Sequence, residues 1–483
     1  MTNLSLPRSP RLLQLCAALM VAGVLGGCSL APTYDRPQAP VEAAYPADAA
    51  GRAELQAVNL GWRQFFPDQR LQQLIAAALE NNRDLRTAVL NIEEARAQYQ
   101  IARADLLPNL NVTGSAARAR TAASQSLTGQ PFISNSYQVG LAVPAYELDF
   151  FGRVRNLKDA ALATYLSTEE AQKSAQISLV AQVAQAYLSE RSYAEQLQLA
   201  NDTLKSRETD LDLAKRRFDV GASSALDFRL TQTLVESARV AKAQLERQRA
   251  QAENALTLLV GKKVGDLPPA QLLSDEKIVT DIPAGLPSDL LINRPDIRSA
   301  EQSLLAANAN IGAARAAFFP RISLTGSFGS ASSTLGGLFE SGSGAWSFGP
   351  SLSLPIFDFG RNSANLDLAE VRKNKAVVTY EKTIQTAFRE VADALVARGS
   401  LEDQVKAQEA FLAAQQERLK LTDLRFKNGI ASSLDQLDAQ RDLFSAQQAL
   451  IQARQLRLNN AIDLYKALGG GIHENTVTVA TKQ

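Results

Sequence analysis

The chain has 483 residues, 46% of them hydrophobic, with 51 basic and 50 acidic side chains, one His and two Cys. A charge this close to zero argues against nucleic acid as a partner, because binding there needs a surplus of Lys and Arg against the phosphates. The single His, His473, lies near the C-terminal end, so no catalytic triad can be built around it.

Taken in order, Arg8 and Arg11 precede an apolar run from Leu12 to Leu25. That run is shorter than the about 20 residues a membrane-spanning helix needs. The pattern predicts a secretory signal, residues 1–27, removed from the mature chain. Leu25-Gly26-Gly27-Cys28 is similar to the bacterial lipobox, whose Cys becomes the acylated first residue. In that pattern Ser29 after the Cys implies sorting to the outer membrane. Removal of the signal takes Cys16, Met1 and Met20 with it, leaving Cys28 as the sole Cys. No disulfide is then expected, and the soft ligands that hold copper(I) are absent. No metal and no cofactor is predicted beyond a covalent lipid on Cys28. Nothing after Cys28 is a continuous apolar run of spanning length, so attachment must come from lipid or from a β-barrel.

Residues 28–69 read as an extended, lipidated N-terminal segment. After it the chain repeats itself. Asp84-Leu85-Arg86 matches Asp296-Ile297-Arg298, and Arg103-Ala104 and Pro108 match Arg315-Ala316 and Pro320, at an offset of 212. From Phe151-Gly152-Arg153 and Phe359-Gly360-Arg361 onward the offset is 208. It holds for Arg217-Phe218 with Arg425-Phe426, for Gly221 with Gly429, and for Gly261 with Gly469. Two copies of one unit therefore occupy residues 70–261 and 295–469. A linker, 262–294, rich in Pro, joins them, and a tail, 470–483, follows.

Each copy opens on a helix. Period-2 alternation then predicts strands at about 109–118 and 136–147 in the first copy and about 321–330 and 345–356 in the second. One face of these strands is apolar. The other is Ser, Thr, Gln, Asn and Gly, as a water-filled lumen requires. Gly/Ser-rich loops, 121–135 and 330–344, separate the strands of each pair. Four strands of a soluble sandwich is the plainer reading, but these strands come only in twos between very long helices. Four strands cannot close a barrel, and open edges are forbidden in a bilayer because unpaired N–H and C=O groups there cost several kcal/mol each. Three chains would supply twelve strands and a closed wall.

Residues 153–220 and 361–428 are the long helices. The first contains no Gly or Pro and the second only Gly399. Leu179, Val180, Val183, Ala186 and Tyr187 give the helical spacing. A helix of this length runs roughly 100 Å at 1.5 Å per residue, far more than a globular core uses. A fibrous coiled coil is one reading, but Ala positions flanking the seam suit packing on two sides, as in a curved wall. Return helices are expected at 223–260 and 432–468. The Phe-Gly-Arg before each long helix marks the joint between strand and helix, with Gly152 and Gly360 permitting a sharp turn. Asp149 and Asp358 lie where a carboxylate suits a helix start. The Asp-Phe-Gly at 358–360 is not the magnesium site of a protein kinase, because the Gly-rich loop and His-Arg-Asp loop that must accompany it are missing.

The chain resembles the TolC/OprM-like outer-membrane factors, exit ducts of tripartite efflux pumps. The resemblance spans nearly all of the mature chain. It rests on CSLAPTYDRP (28–37), GWRQFF (61–66), NNRDLR (81–86), ELDFFGR (147–153), LPSDLLINRPDI (286–297), ANANIGAARAAFFPRISLTGSFG (307–329), LPIFDFGR (354–361), TIQTAFREVADAL (383–395), LDAQRDLFSAQQALI (437–451) and LYKALGGG (464–471). It implies an α+β membrane protein in which a trimeric 12-stranded barrel continues into a periplasmic helical barrel. Residues 262–294, residues about 37–68 and the tail would form an equatorial belt. The implied partners are two further copies of the chain, a periplasmic membrane-fusion adaptor, an inner-membrane proton-driven pump of the RND type, and outer-membrane lipid.

The resemblance also places the far ends of the long helices at a periplasmic tip that contacts the adaptor. Val220, Gly221, Ser224, Asp227, Gly429 and Ser432 fall there. The family's acidic ring at the pore mouth maps onto Asp435 and Asp438, whose i, i+3 spacing puts both on one helical face, with Asp442 one turn further on. Ser224-x-x-Asp227 and Ser432-x-x-Asp435 also read as capping boxes, which would account for Asp227 and Asp435 but not Asp438. Where some family members carry an Arg that ties the closed gate, this chain has Ala431. The function implied is a passive exit channel for drugs and other small toxic compounds. A copper/silver efflux duct and a type I protein-secretion duct share the fold, and a structural lipoprotein spanning the periplasm is the non-transport alternative. No enzymatic activity is expected.

Overall fold

A computed structural model describes residues 29–42, 45, 57–280, 282 and 287–477; the expected signal, residues 1–27, and the lipidation candidate Cys28 lie outside them. The described residues divide into two compact units. One comprises those up to Pro37 with Ile92–Thr168 and Ala300–Tyr380, and the other comprises Gln38–Asn91, Glu169–Ser299 and the residues from Glu381 onward.

In chain order the elements are α1 (Trp62–Phe65), α2 (Gln69–Asn81), α3 (Arg83–Ala104), β1 (Asn111–Thr121), β2 (Phe132–Leu148), α4 (Arg153–Asp219), α5 (Ala225–Val260), α6 (Pro287–Asn293), α7 (Pro295–Ala316), β3 (Arg321–Ser332), β4 (Gly344–Ser353), α8 (Arg361–Lys427) and α9 (Ser433–Ala467). The strands are placed differently from the expectation. β1 runs three residues past its expected end and β2 begins four residues before its expected start, because hairpin pairing continues from Arg118↔Asn135 out to Thr121↔Phe132. Ala119-Arg120-Thr121 and Phe132-Ile133-Ser134-Asn135 carry no period-2 signal, yet the backbone ladder there is complete. β4 stops at Ser353, before Leu354 and Pro355, since Pro cannot donate to a ladder. α8 runs through Gly399 without a break. No described helix is long and apolar enough to cross a membrane.

In the sheet-bearing unit the strands form one antiparallel sheet in the order β1-β2-β3-β4. The register puts Glu147, Ser323 and Ser351 side by side, and likewise Leu141 beside Phe328 and Phe328 beside Trp346. Directly paired residues share a face and alternate along the strand. One face therefore carries Leu141, Leu324, Phe328, Trp346, Phe348 and Leu352, and the other Ser323, Thr325, Ser327, Ser347 and Ser351. An irregularity between Val143 and Tyr146, at Pro144, restores the alternation past a residue with no N–H. Gly140 and Gly329 face each other across β2 and β3 with no room to spare. A Cβ on Gly329 would come 2.2 Å from the Val139 carbonyl oxygen. The described N-terminal segment packs in this unit: Arg36 donates two bonds to Glu301, at 2.7 and 2.6 Å, and the Asn308 side chain donates to the Pro32 carbonyl.

The other unit holds most of the largest buried side chains, among them Trp62, Phe65, Phe66, Tyr187 and Tyr465. Phe65 stacks on Tyr465 with centroids 3.9 Å apart. The two repeats use one device at the ends of their return helices. In the first, Asn82 donates to the Leu259 carbonyl, and a Cβ on Gly261 would strike the Asn81 carbonyl. In the second, Arg294 takes the place of Asn82 and donates to the Ala467 carbonyl at 2.9 Å, with Gly469 close to Asn293. Both glycines have φ near +80° (78° and 85°), which explains why the repeat keeps Gly there.

Asp68 caps α2 by accepting from the Arg70 N–H and also accepts from the Tyr187 hydroxyl at 2.6 Å. Burial first, and the Asp68 charge second, push the buried Glu276 carboxyl up to about 8. A carboxyl raised in the folded state relative to the unfolded chain contributes stability that is complete below the unfolded pKa and lost as pH rises toward 8. Glu276→Gln should therefore remove part of the pH dependence. Between pH 6 and pH 9 the thermal midpoint of the wild type should fall further than that of the variant. Parallel midpoints across that range would show that Glu276 is not protonated at neutral pH.

Candidate functional site: sheet faces, joints and helical tips

Three places in the chain carry the features that a conduit needs. The first is the sheet. Trp346 is 76% exposed and Phe348 64%, on the same face as the exposed Phe328 and Leu352. An apolar face this continuous has to meet lipid or protein. The opposite face is small and polar.

The second is the pair of joints. Gly152 and Gly360 sit at φ 76° and 82°, the left-handed turn expected of them, and Phe359 joins Gly360 there at φ 56°. Asp149 accepts from the Arg155 N–H at 2.9 Å, and Asp358 accepts from the N–H groups of Gly360 and Asn362 at 3.1 and 2.9 Å. Both carboxylates are caps that satisfy the first turns of α4 and α8. Glu147, on the polar sheet face, holds Arg153 through two bonds of 2.8 and 2.7 Å and Arg321 at 3.0 Å. Sequence reading missed this cluster, because Arg321 lies 174 positions from Glu147.

The third is the pair of tips. Gly221 and Gly429 have φ 74° and 73°. The Ala222 N–H bonds back to the Arg217 carbonyl and that of Ile430 to the Arg425 carbonyl, closing both long helices alike. Val220 is exposed beside the first turn. Ser224 caps α5, accepting from the Asp227 N–H, and Ser432 with Asp435 forms a reciprocal capping box on α9. Hydrogen bonds from Ser432 hold the Asp435 carboxyl below its ordinary range.

Asp227 does more than cap. It accepts from the Ser433 hydroxyl of the other hairpin, and that bond, with a second from Ser224, lowers its pKa. Gln440 donates to Asp210 at 3.1 Å, a second link between the hairpins. They flank a cavity of about 470 Å³. Asp438 pairs with Arg441 at 3.0 Å, and Asp442 pairs with Arg418 at 2.7 Å. The face read as purely acidic thus has basic partners beside it, supplied by its own helix and by α8. Among the described residues no group of His, Cys, Asp and Glu could hold a metal ion.

The model of the family described as outer membrane efflux protein matches residues 74–262 and 286–470, once for each repeat. The chain belongs to the outer membrane efflux protein family. The antibiotic efflux pump outer membrane protein ArpC of Pseudomonas putida is 50% identical over 468 residues, covering 96% of each chain. The toluene efflux pump outer membrane protein TtgC, also of Pseudomonas putida, matches to the same extent. The open-state crystal structure of the MtrE outer membrane channel of Neisseria gonorrhoeae superposes with a TM-score of 0.86 at 45% identity, covering 93% of this chain and all of that one. Accordingly, the chain is an outer-membrane exit channel of an efflux system, with the β-barrel and α-helical barrel of that family. The family is one of channels, not of enzymes.

Proposed function

We propose that three copies of this chain close a single channel, anchored by an acyl group on Cys28, and that it passes antibiotics, organic solvents and related small toxic compounds outward. The observation that carries this reading is the four-stranded sheet with one apolar face and two unpaired edges, β1 and β4. Edges of that kind cannot remain open in a bilayer, and three sheets joined edge to edge remove them. The names of ArpC and TtgC support the substrate range. No nucleotide-binding motif is present in the sequence, so the driving force comes from partners: a periplasmic membrane-fusion adaptor and a proton-driven inner-membrane pump. The adaptor meets the tips around Val220, Gly221, Ser224, Asp227, Gly429 and Ser432. Native mass spectrometry of the full chain in detergent should give three copies, each with an acylated Cys28. A conducting monomer would sink the shared barrel, and an unmodified Cys28 would sink the anchor.

Asp435 and Asp438, repeated three times around the mouth, set the ion selectivity of the gate. Asp435 is ionised by its cap, and Asp438 offsets Arg441. Asp438→Asn removes the acid and exposes that Arg, so the charge at the mouth changes sign locally. Reversal potentials in planar bilayers under a salt gradient should shift toward anions by a few-fold in permeability ratio, most strongly at low salt, where screening reaches beyond about 10 Å. An unchanged ratio would make Asp438 an ordinary solvated helix charge.

A further inference from the structure

Each Phe-Gly-Arg joint ends on an Arg, Arg153 and Arg361. In the first repeat Arg153 is taken up by Glu147. The position equivalent to Glu147 in the second repeat, 208 residues on, is Pro355. Arg361 therefore has no carboxylate partner among the described residues. Both arginines, with Arg321, line a pocket of about 280 Å³ at the foot of the sheet. Asp149, also in its wall, is engaged by Arg155 at 3.3 Å. Three guanidinium groups are thus set against the one carboxylate of Glu147. Beside them the rings of Phe151 and Phe319 stack with centroids 4.7 Å apart, which gives the pocket an apolar wall. Glu147 pairs with Ser323, and Ser323 with Ser351, on the small polar face of the sheet, so the pocket adjoins that face.

We propose that this pocket is a way-station for organic anions, carboxylates or sulfonates borne on an aromatic or other apolar body, as they pass through the channel. The inference rests on the channel reading above, which makes the polar face the lumen. Arg361 supplies a planar pair of donors matched to a carboxylate, and the Phe151–Phe319 wall takes the ring. Binding is transient, because Glu147 competes for two of the three cations and the pocket is open to water, and an exit duct requires release as much as capture.

The test uses full-length protein in nonionic detergent and equilibrium dialysis with 1-naphthoate, with the uncharged 1-naphthylmethanol as control and detergent alone as blank. Arg361→Gln should weaken naphthoate binding about tenfold, the scale of one lost charge-assisted pair, and leave naphthylmethanol within twofold. Arg361→Lys should retain part of the affinity. Pro355→Glu, which recreates the first repeat's arrangement and gives Arg361 a carboxylate partner, should abolish the charge-dependent part. Each variant is compared as the assembled protein, so a misfolded one is recognised by its assembly state. Naphthoate affinity indifferent to Arg361→Gln and Pro355→Glu, or an equal loss for both probes, overturns the site. Currents in planar bilayers separate the two readings. Wild-type protein that binds naphthoate but carries no current overturns the channel and leaves the site, whereas current without an Arg361-dependent affinity overturns the site alone.

Discussion

Arg294→Met should destabilise the assembled protein by about 3 kcal/mol per chain, the lower end of the 3–5 kcal/mol typical when one member of a buried ion pair is removed. Arg294 is almost fully buried, its side chain 9% exposed, and its guanidinium donates to Asp296 at 2.6 and 3.0 Å, to Glu390 at 2.8 Å and to the Ala467 carbonyl at 2.9 Å. Burial opposes its charge, but Asp296 and then Glu390 outweigh that and hold its pKa above the ordinary value. Met keeps the volume and removes every donor, leaving two carboxylates and a helix-end carbonyl without their partner. Both carboxylates are about one-third exposed (31% and 34%), so water recovers part of the loss. Asn82→Ala supplies the internal standard. It stands at the same place in the first repeat and deletes neutral bonds to Leu259 and Leu85, worth about 1–3 kcal/mol when a buried group is left unpaired. Thermal disassembly at a fixed scan rate should rank Arg294→Met well below Asn82→Ala. Equal midpoints would mean that the arginine acts as a neutral spacer.

Phe348→Arg and Ser347→Arg should differ sharply although the residues are adjacent. Phe348 lies in the middle of β4 on the apolar face, and Ser347 lies on the polar face, paired with Ser327, whose hydroxyl it meets at 2.7 Å. A cation on the lipid side of a barrel costs about 2–4 kcal/mol near the midplane, and three copies multiply it. Phe348→Arg should therefore deplete the outer membrane of assembled protein. Ser347→Arg should assemble and instead reduce cation permeability through the lumen. Fractionated membranes and bilayer currents read the two outcomes. Equal assembly of both variants would mean that the sheet does not have one face in lipid, and an exchange of the two results would invert the barrel.

Much of this architecture is local and so can be read in the sequence. Gly152, Gly221, Gly261 and their repeat partners need only their own backbone conformation to explain them, which is why two copies of a pattern sufficed to find them. Asp149, Asp358, Ser224 and Ser432 act within six residues of where they stand. The long helices follow from good helix formers without Gly or Pro, and the alternating strands from a period of two. The strand ends were less legible, because Ala119 to Thr121 pair through backbone groups that leave no mark on composition.

The sequence by itself determined the repeat, the joints, the tips and the two-faced strands, since each depends on propensity or spacing within a short stretch. Tertiary structure alone decided which distant charged and polar groups meet. Glu147 and Arg321, Arg294 and Glu390, Asp227 and Ser433, and Asp68 and Glu276 are each brought together across tens to hundreds of residues. Their energies depend on distance and burial, neither of which a linear chain records. For the same reason the Arg418 partner of Asp442, 24 positions away, is not legible in the sequence, whereas Arg441, three residues after Asp438 on the same helix, and Pro355, which stands where the first repeat has Glu147, are both local.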